Sequence, residues 1–421
     1  MTTTLFRNAN VLDGIAHLGT LDVLVEGDRI TQVGVAAGHT VPNDAAVVFD
    51  LQGRTLMPGM VAGHAHLALH ELDLHRIMEA DMRHPPAYMG VIAARNARRT
   101  LEAGFTTAIG AGGIHNLDVV LKHLIAEDVI EGPRIVPCGR DFVPTGHTVD
   151  YKPDHWNVMP GQSGTLGAVC DGPDEFRKEV RREAKRGVKL IKLYPEGGHG
   201  IPGNTVKLTY DEIATVVETA ELCGMRVRAH VCSKPAIKAC LKAGVAIVDH
   251  GDHLDEELAE LFVEKGTFVL PSLYFTKMFT GIYHSPSDCE RWFSRARHAL
   301  ATGVKRGVQF VCGDDFGLLR MPHGDNAREI ALYVEELGLP PLEVIRWATA
   351  NGGSMSRIPN IGRIAVGALA DLIVVDGDPL ARISLLAEPE RIAMVMKGGK
   401  IAKQESSLRA LQWHQGSKRV A

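Results

Sequence analysis

Short apolar runs and amphipathic stretches alternate eight times between positions 58 and 357, and this alternation limits the folds open to the chain more than any single motif does. The first run carries His64. FTTAIGAG then leads into LDVVLKHLIAED, RIVPCGRDF into DEFRKEVRREAKRG, KLIKLYPEG into YDEIATVVETAELCG, and RVRAHV into KPAIKACLKAG. AIVDHG precedes LDEELAELFVEKG, TFVLPSL precedes a helix around Arg291 to Arg306, and QFVCGDDFG precedes NAREIALYVEELG. Strand-then-helix units in series give parallel strands, because each helix carries the chain back to the edge it left. Eight such units predict an α/β fold closed as a (β/α)8 TIM barrel. A doubly wound open sheet is the alternative, but no GxGxxG follows the first strand.

The two ends of the chain have a different texture. LFRNANVLDG, LDVLVEGDRITQVG and AVVFDLQGRTLMPG are short apolar runs punctuated by Gly, Asn and Asp, the pattern of hairpins. ADLIVVDGDP and IAMVMKGGKIA repeat it near the C-terminus. Residues 1–57 and 358–412 are therefore expected to build one small composite β-sandwich from both termini. Residues 58–357 would form the barrel and residues 413–421 a C-terminal tail.

Polar residues of ligand type recur where strands hand over to loops. His64 and His66 end the first strand, Lys192 lies in the fourth, His230 ends the fifth, His250 the sixth and Asp315 the eighth. Side chains at i and i+2 of a strand share a face, so His64 and His66 aim both rings at one point. A divalent cation needs that convergence. Alone, the His-x-His pair reads equally well as two histidines at a strand tip. Six such residues on five strands would all project to the C-terminal face of the barrel, where barrel enzymes hold their chemistry.

Composition narrows the partners. The net charge of −4 comes without a basic cluster, which argues against nucleic acid and against an anionic membrane surface. No apolar run reaches the ~18 residues of a spanning helix, and the first residues lack a secretory pattern. The seven cysteines form no CxxC pair and read as reduced thiols, several of them buried, which fits a cytoplasmic protein. The expected partner is a small-molecule substrate, with a homo-oligomer as the expected assembly.

On these residues the chain resembles the amidohydrolase superfamily of metal-dependent hydrolases over nearly its whole length. MPGMVAGHAHL resembles the family's first-strand signature, and GVKLIKLY resembles its fourth-strand segment with a carboxylated lysine. GDDFG resembles the eighth-strand G-x-D-x-G motif, whose register selects Asp315 over Asp314. ATANGGSM and GALADLIVVDGDPL match as well, the latter within the composite sandwich. TGHTVDYKP, LYPEGGHG and PHGDNARE are similar to loops of the prolidase-like, amide-cleaving branch.

The resemblance implies two divalent metal ions, zinc by default with manganese or cobalt as options. Their ligands would be His64, His66, Lys192, His230, His250 and Asp315. Lys192 would carry a CO2-derived carbamate that bridges the two; otherwise a lysine in LIKLY is a costly buried ammonium or snorkels to the rim. Lys189, expected on the same strand face, is its rival. Asp315 would shuttle the proton, and His147 in PTGHT would face the substrate. Tyr194, Trp156 and His323 join His147 as candidate substrate contacts, although His323 and His199 also have a structural reading. The Gly- and Pro-rich segment Thr145 to Asp171 has the character of a lid. Tyr194 and Cys232 depart from the dipeptide-cleaving pattern.

The expected activity is hydrolysis of an amide-type C–N bond in an N-acyl amino acid, a dipeptide, or a urea- or anilide-like molecule. A mononuclear deaminase or imidazolone-type cyclic amidohydrolase is the alternative, and so is a lactone or ester hydrolase with the same ligands. A non-catalytic scaffold would have lost ligands, and none is lost here.

Overall fold

The computed structural model describes residues 2–35, 47–70, 83–147, 149–150, 166–197, 207–251, 254–278, 280, 285–318 and 320–412. Trp156, His199, most of the Thr145 to Asp171 segment and the 413–421 tail lie outside the described residues. The chain divides into two compact units. One comprises Met1–Val61, Thr100–Thr107 and Ile330–Ala421, the other Ala62–Arg99 and Ala108–Glu329.

The chain opens with strands β1 (Thr3–Leu12), β2 (His17–Glu26), β3 (Arg29–Gly34), β4 (Val47–Asp50) and β5 (Thr55–Pro58). There follow β6 (Met60–Ala65), β7 (Phe105–Gly110), β8 (Arg134–Val136), β9 (Cys138–Val143), β10 (Gly167–Val169) and β11 (Leu190–Leu193). β12 (Arg226–Val231), β13 (Ile247–His250), β14 (Phe268–Leu270) and β15 (Gln309–Phe310) complete the middle of the chain. β16 (Leu372–Val375), β17 (Ile392–Lys397), β18 (Lys400–Gln404) and β19 (Leu411–Gln412) close it.

In the first unit, strands from both ends of the chain share one nine-stranded network. It runs β18-β17-β16-β5-β1-β2-β3, with β4 on β1 and β19 on β4. β1 serves two partners along one edge: Thr4 to Arg7 pair with β4, and Asn10 and Val11 pair with β5. The change of partner falls at Asn8, whose φ of 52° a short polar side chain tolerates. Its Nδ2 donates to Asp50 Oδ1 at 2.9 Å and so fixes the bend to β4. Phe6, Val11, Phe49, Leu56, Val374 and Met394 pack beneath this sheet as its core.

In the second unit the β-then-α alternation produces parallel strands with helices between them. A seven-stranded sheet runs β10-β9-β11-β12-β13-β14-β15, every neighbouring pair parallel, beside a three-stranded sheet β6-β7-β8. Its strands are buried along nearly their whole length, as parallel strands covered on both faces must be. Helix boundaries follow local chemistry. Thr209 and Glu212 form a reciprocal capping box at the start of Tyr210–Leu222, and Ser285 caps Pro286–Arg306 through the Asp288 N–H.

Two details depart from the alternation read in the sequence. RIVPCGRDF is two strands, β8 and β9, because Pro137 has no N–H to give to a ladder. The break sends its halves into different sheets, and the Pro137 carbonyl accepts the Lys189 N–H at 2.8 Å. In QFVCGDDFG only Gln309 and Phe310 stay in the sheet, leaving the acidic pair beyond the ladder. There the Gly63 N–H donates to the Cys312 carbonyl at 2.9 Å, joining β6 to the chain after β15.

That seam needs glycine on both sides. A Cβ on Gly63 would stand 2.6 Å from the Cys312 oxygen, and one on Gly313 would stand 2.4 Å from the His64 nitrogen. No disulfide joins any of the seven cysteines, and Cys138, Cys170, Cys240, Cys289 and Cys312 are buried. Among the described residues no helix is long and apolar enough to cross a membrane.

Candidate metal centre

β6 delivers His64 and His66 on one face, as the i, i+2 spacing requires, and the loop after β15 brings Asp315 to them. His64 Nε2 lies 3.1 Å from His66 Nε2, and Asp315 Oδ1 lies 3.0 Å from the first and 3.4 Å from the second. The far nitrogens fix the tautomers. His66 Nδ1 is 3.3 Å from the Gly112 carbonyl, which can only accept, so that nitrogen carries the proton. His64 Nδ1 lies 3.3 Å from both Asp249 Oδ1 and Arg228 Nη2. The guanidinium already serves Asp249, so the His64 proton also points to that carboxylate. Both Nε2 lone pairs then face Asp315. Burial pushes the His64 imidazole down, against the pull of Asp249, and favours the neutral ring that binds metal.

β12 and β13 add the next two rings. The His250 ring centroid lies 5.7 Å from that of His64 and 4.3 Å from that of His230. His250 directly follows Asp249, and strict alternation would turn the two residues to opposite faces. His250 instead takes φ 79°, so both side chains reach the His64 side.

Beneath the histidines lies a buried ionic cluster. Lys192 Nζ donates to Asp249 Oδ2 at 2.6 Å, and Arg228 donates to both oxygens of the same carboxylate. Arg228 Nη1 also reaches the Gly63 carbonyl at 3.2 Å and the Gly110 carbonyl at 2.6 Å. Lys192, Arg228 and Asp249 are all fully buried. Arg228, Lys192 and His64 hold Asp249 well below the carboxylate range despite its desolvation. Lys189 does not share the face of Lys192. It stands three residues earlier, on the other phase of the pleat, and is exposed.

The chain matches the amidohydrolase family over residues 55–402. It belongs to that family. Ochratoxinase of Aspergillus niger is 29% identical over 370 residues, spanning 83% of this chain and 75% of that protein. Imidazolonepropionase of Cutibacterium acnes is 26% identical over 384 residues, spanning 86% of this chain and 85% of that protein. Among solved structures, a prolidase complexed with N-methylphosphonate-L-proline superposes with a TM-score of 0.83 at 29% identity, over 96% of this chain and 100% of that one. As an amidohydrolase, the protein is a hydrolase acting on carbon–nitrogen bonds.

The donor set of this amidohydrolase suits a divalent cation. Three acceptor atoms of His64, His66 and Asp315 face one another within 4.8 Å while the imidazole protons point outward. Such an arrangement repels itself unless positive charge lies between the atoms, and its N and O donors suit zinc. Asp314 is excluded from it. Its Oδ2 accepts the Phe275 N–H at 3.0 Å, its Oδ1 accepts the Asp315 N–H at 2.7 Å, and burial beside Asp315 pushes it up to about 8.

The remaining candidate residues fall around this centre. Tyr194 stacks on His230 at 4.5 Å with 15° between the planes, and burial pushes its hydroxyl well up, so it stays protonated. His147 meets the edge of Tyr194 at 5.5 Å. Its Nδ1 accepts the Val149 N–H at 3.2 Å, which leaves Nε2–H to donate to the Glu196 carbonyl at 3.1 Å. His323 stands behind the first ligands, with Nε2 3.1 Å from the His66 carbonyl, and burial pushes it down to about 4. Arg228, Asp249 and Asp141 escaped the sequence reading. Each is a charged residue inside an apolar strand, a signal that becomes specific only when the neighbouring strand's register is known.

Proposed function

We propose that this amidohydrolase is a binuclear metal-dependent hydrolase that cleaves an amide-type C–N bond in a small molecule. The substrate class is an N-acyl amino acid, a dipeptide, or a urea- or anilide-like compound. One observation carries the reading: His64, His66 and Asp315 converge at the ends of parallel strands, with His250, His230 and Lys192 ranged beside them. The likeness to ochratoxinase and to a prolidase supports the amide bond as the target. The backbone seams at Pro137 and at Gly63–Cys312 support closure of the parallel strands into a (β/α)8 barrel. The network shared by both termini supports the composite β-sandwich.

His64, His66 and Asp315 would hold one cation and His230 and His250 the other, with zinc the default and manganese or cobalt the options. When bound, the pair supplies Lewis-acid polarisation of the scissile carbonyl and lowers the pKa of water toward neutrality. Lys192 would join them as a carbamate ligand: the ammonium loses one proton, and the CO2 carbon then bonds to the free amine as a second proton leaves. The cluster tolerates that change, because Asp249 keeps both bonds from Arg228 when the ammonium charge disappears. Asp249 and the Gly112 carbonyl hold the protons of His64 and His66 away from the centre. The ionised Asp315 takes a proton from the attacking water and returns it to the departing nitrogen. Tyr194 and His147 form an aromatic wall for the substrate, with Trp156 a further candidate contact, whereas His323, expected from the sequence to touch substrate, instead braces the His66 backbone. A cytoplasmic homo-oligomer with neither a nucleic-acid nor a membrane partner completes the proposal.

Protein purified without chelator should hydrolyse members of a panel of N-acyl amino acids, dipeptides, anilides and aryl ureas. Lys192→Ala should lose most of that activity, and a short carboxylic acid at high concentration should restore part of it. Hydrolysis confined to lactones, esters or a cyclic imidazolone would contradict the proposal, and so would full activity in Lys192→Ala.

A further inference from the structure

Asp141 is a buried carboxylate that nothing in the scheme above uses. It lies within β9, the strand hydrogen-bonded to β11, and its register partner there is Lys192. Paired residues on adjacent parallel strands project to the same face, so Asp141 and Lys192 enter the interior side by side. Across from it stands His66. A Cβ built on Gly112 would meet Asp141 Oδ1 at 2.3 Å and His66 Cε1 at 3.3 Å, so the carboxylate and the imidazole flank the same glycine. Gly112 therefore leaves room for Asp141 to approach the His66 ring.

Asp141 is only 2% exposed, and its Oδ1 makes no hydrogen bond among the described residues. A carboxylate oxygen removed from water without a donor is costly, and native folds rarely leave one so. The other buried acids nearby are provided for: Asp249 by Lys192 and Arg228, Asp314 by backbone N–H groups. The Lys192 ammonium donates to Asp249, not to Asp141. If Lys192 becomes a carbamate, the register partner of Asp141 turns anionic as well, and a cation beside both is the arrangement that relieves the repulsion.

We infer that Asp141 is a further carboxylate ligand of the metal centre, on the side of His66 and Lys192. The inference rests on the metal-centre reading above. It places a carboxyl that needs no covalent modification where the rest of the anionic set includes a lysine that must first react with CO2. Metal retention would then depend less on that modification.

The test is competitive zinc titration against a chromogenic chelator, with thermal melts of the metal-free and zinc-loaded protein, on wild type, Asp141→Asn and Asp141→Ala. Wild type should bind zinc, and both variants should lose at least about tenfold in affinity for one equivalent, the scale on which perturbing a metal site acts. Metal-free Asp141→Asn should melt no lower than wild type, because the amide removes an unpaired buried charge while keeping the shape. Zinc should raise its Tm less than it raises that of wild type. Wild-type zinc affinity in both variants would overturn the assignment of Asp141 and leave the centre standing. A lowered metal-free Tm with an unchanged zinc-induced rise, or failure of both variants to fold, would make Asp141 a structural acid and overturn it too. Absence of zinc binding by wild type would instead overturn the centre itself, and the assignment with it.

Discussion

Asp315 Oδ1 sits 3.0 Å and 3.4 Å from two imidazole nitrogens, whereas both oxygens of Asp314 are occupied by backbone N–H groups. One residue of register separates a carboxylate that can exchange protons with a reacting centre from one that holds a loop together. Asp315→Asn should therefore lower kcat by at least ~10²-fold, within the range general acid–base catalysis supplies. Its metal content should fall less than its rate, since the amide oxygen can still coordinate weakly. Asp314→Asn should act chiefly on stability, through the lost acceptor for Phe275. Steady-state kinetics and elemental analysis of the two variants check this; a dead Asp314→Asn beside a fully active Asp315→Asn would reverse the assignment. The choice of Asp315 was legible in GDDFG. Asp249 was not, because AIVDHG presents it as the neighbour of His250 on the opposite face. Only the φ of 79° at His250 brings the two side chains to the same side.

At the scale of the element, strand and helix order could be read because each β-then-α unit announces itself by period and by caps such as Thr209 with Glu212. Strand breaks could not, since Pro137 divides a run that is apolar on both sides of it. Nor could the pairing of Lys192 and Arg228 with Asp249, which joins three strands and depends on register. Register also explains why glycine is needed at Gly63 and Gly313, where two backbones approach without room for a side chain. Gly313→Ala should press a methyl group against the His64 nitrogen and the Leu270 side chain. We expect a loss of about 1–3 kcal/mol in stability, the usual cost of overpacking. A larger proportional loss of bound metal should accompany it, because the strand that moves carries His64. Denaturant unfolding of the metal-free protein, paired with elemental analysis of the loaded protein, checks both parts. Wild-type values in both would show that the seam is looser than the distances indicate.

For the whole molecule, the proposed function would give the parallel-stranded unit a chemistry that its own side chains cannot supply alone. In the proposed mechanism Asp315 would carry a proton and Tyr194 would shape a wall, while polarising an amide carbonyl would fall to cations held by His64, His66, His230 and His250. The measurement closest to this claim follows hydrolysis of one amide substrate from the panel while the metal-free protein is titrated with zinc in bicarbonate-containing buffer. A binuclear hydrolase should show no turnover without metal, a rise with added zinc, and a plateau at two equivalents per chain. A plateau at one equivalent in fully active enzyme, or full turnover with none, would contradict it.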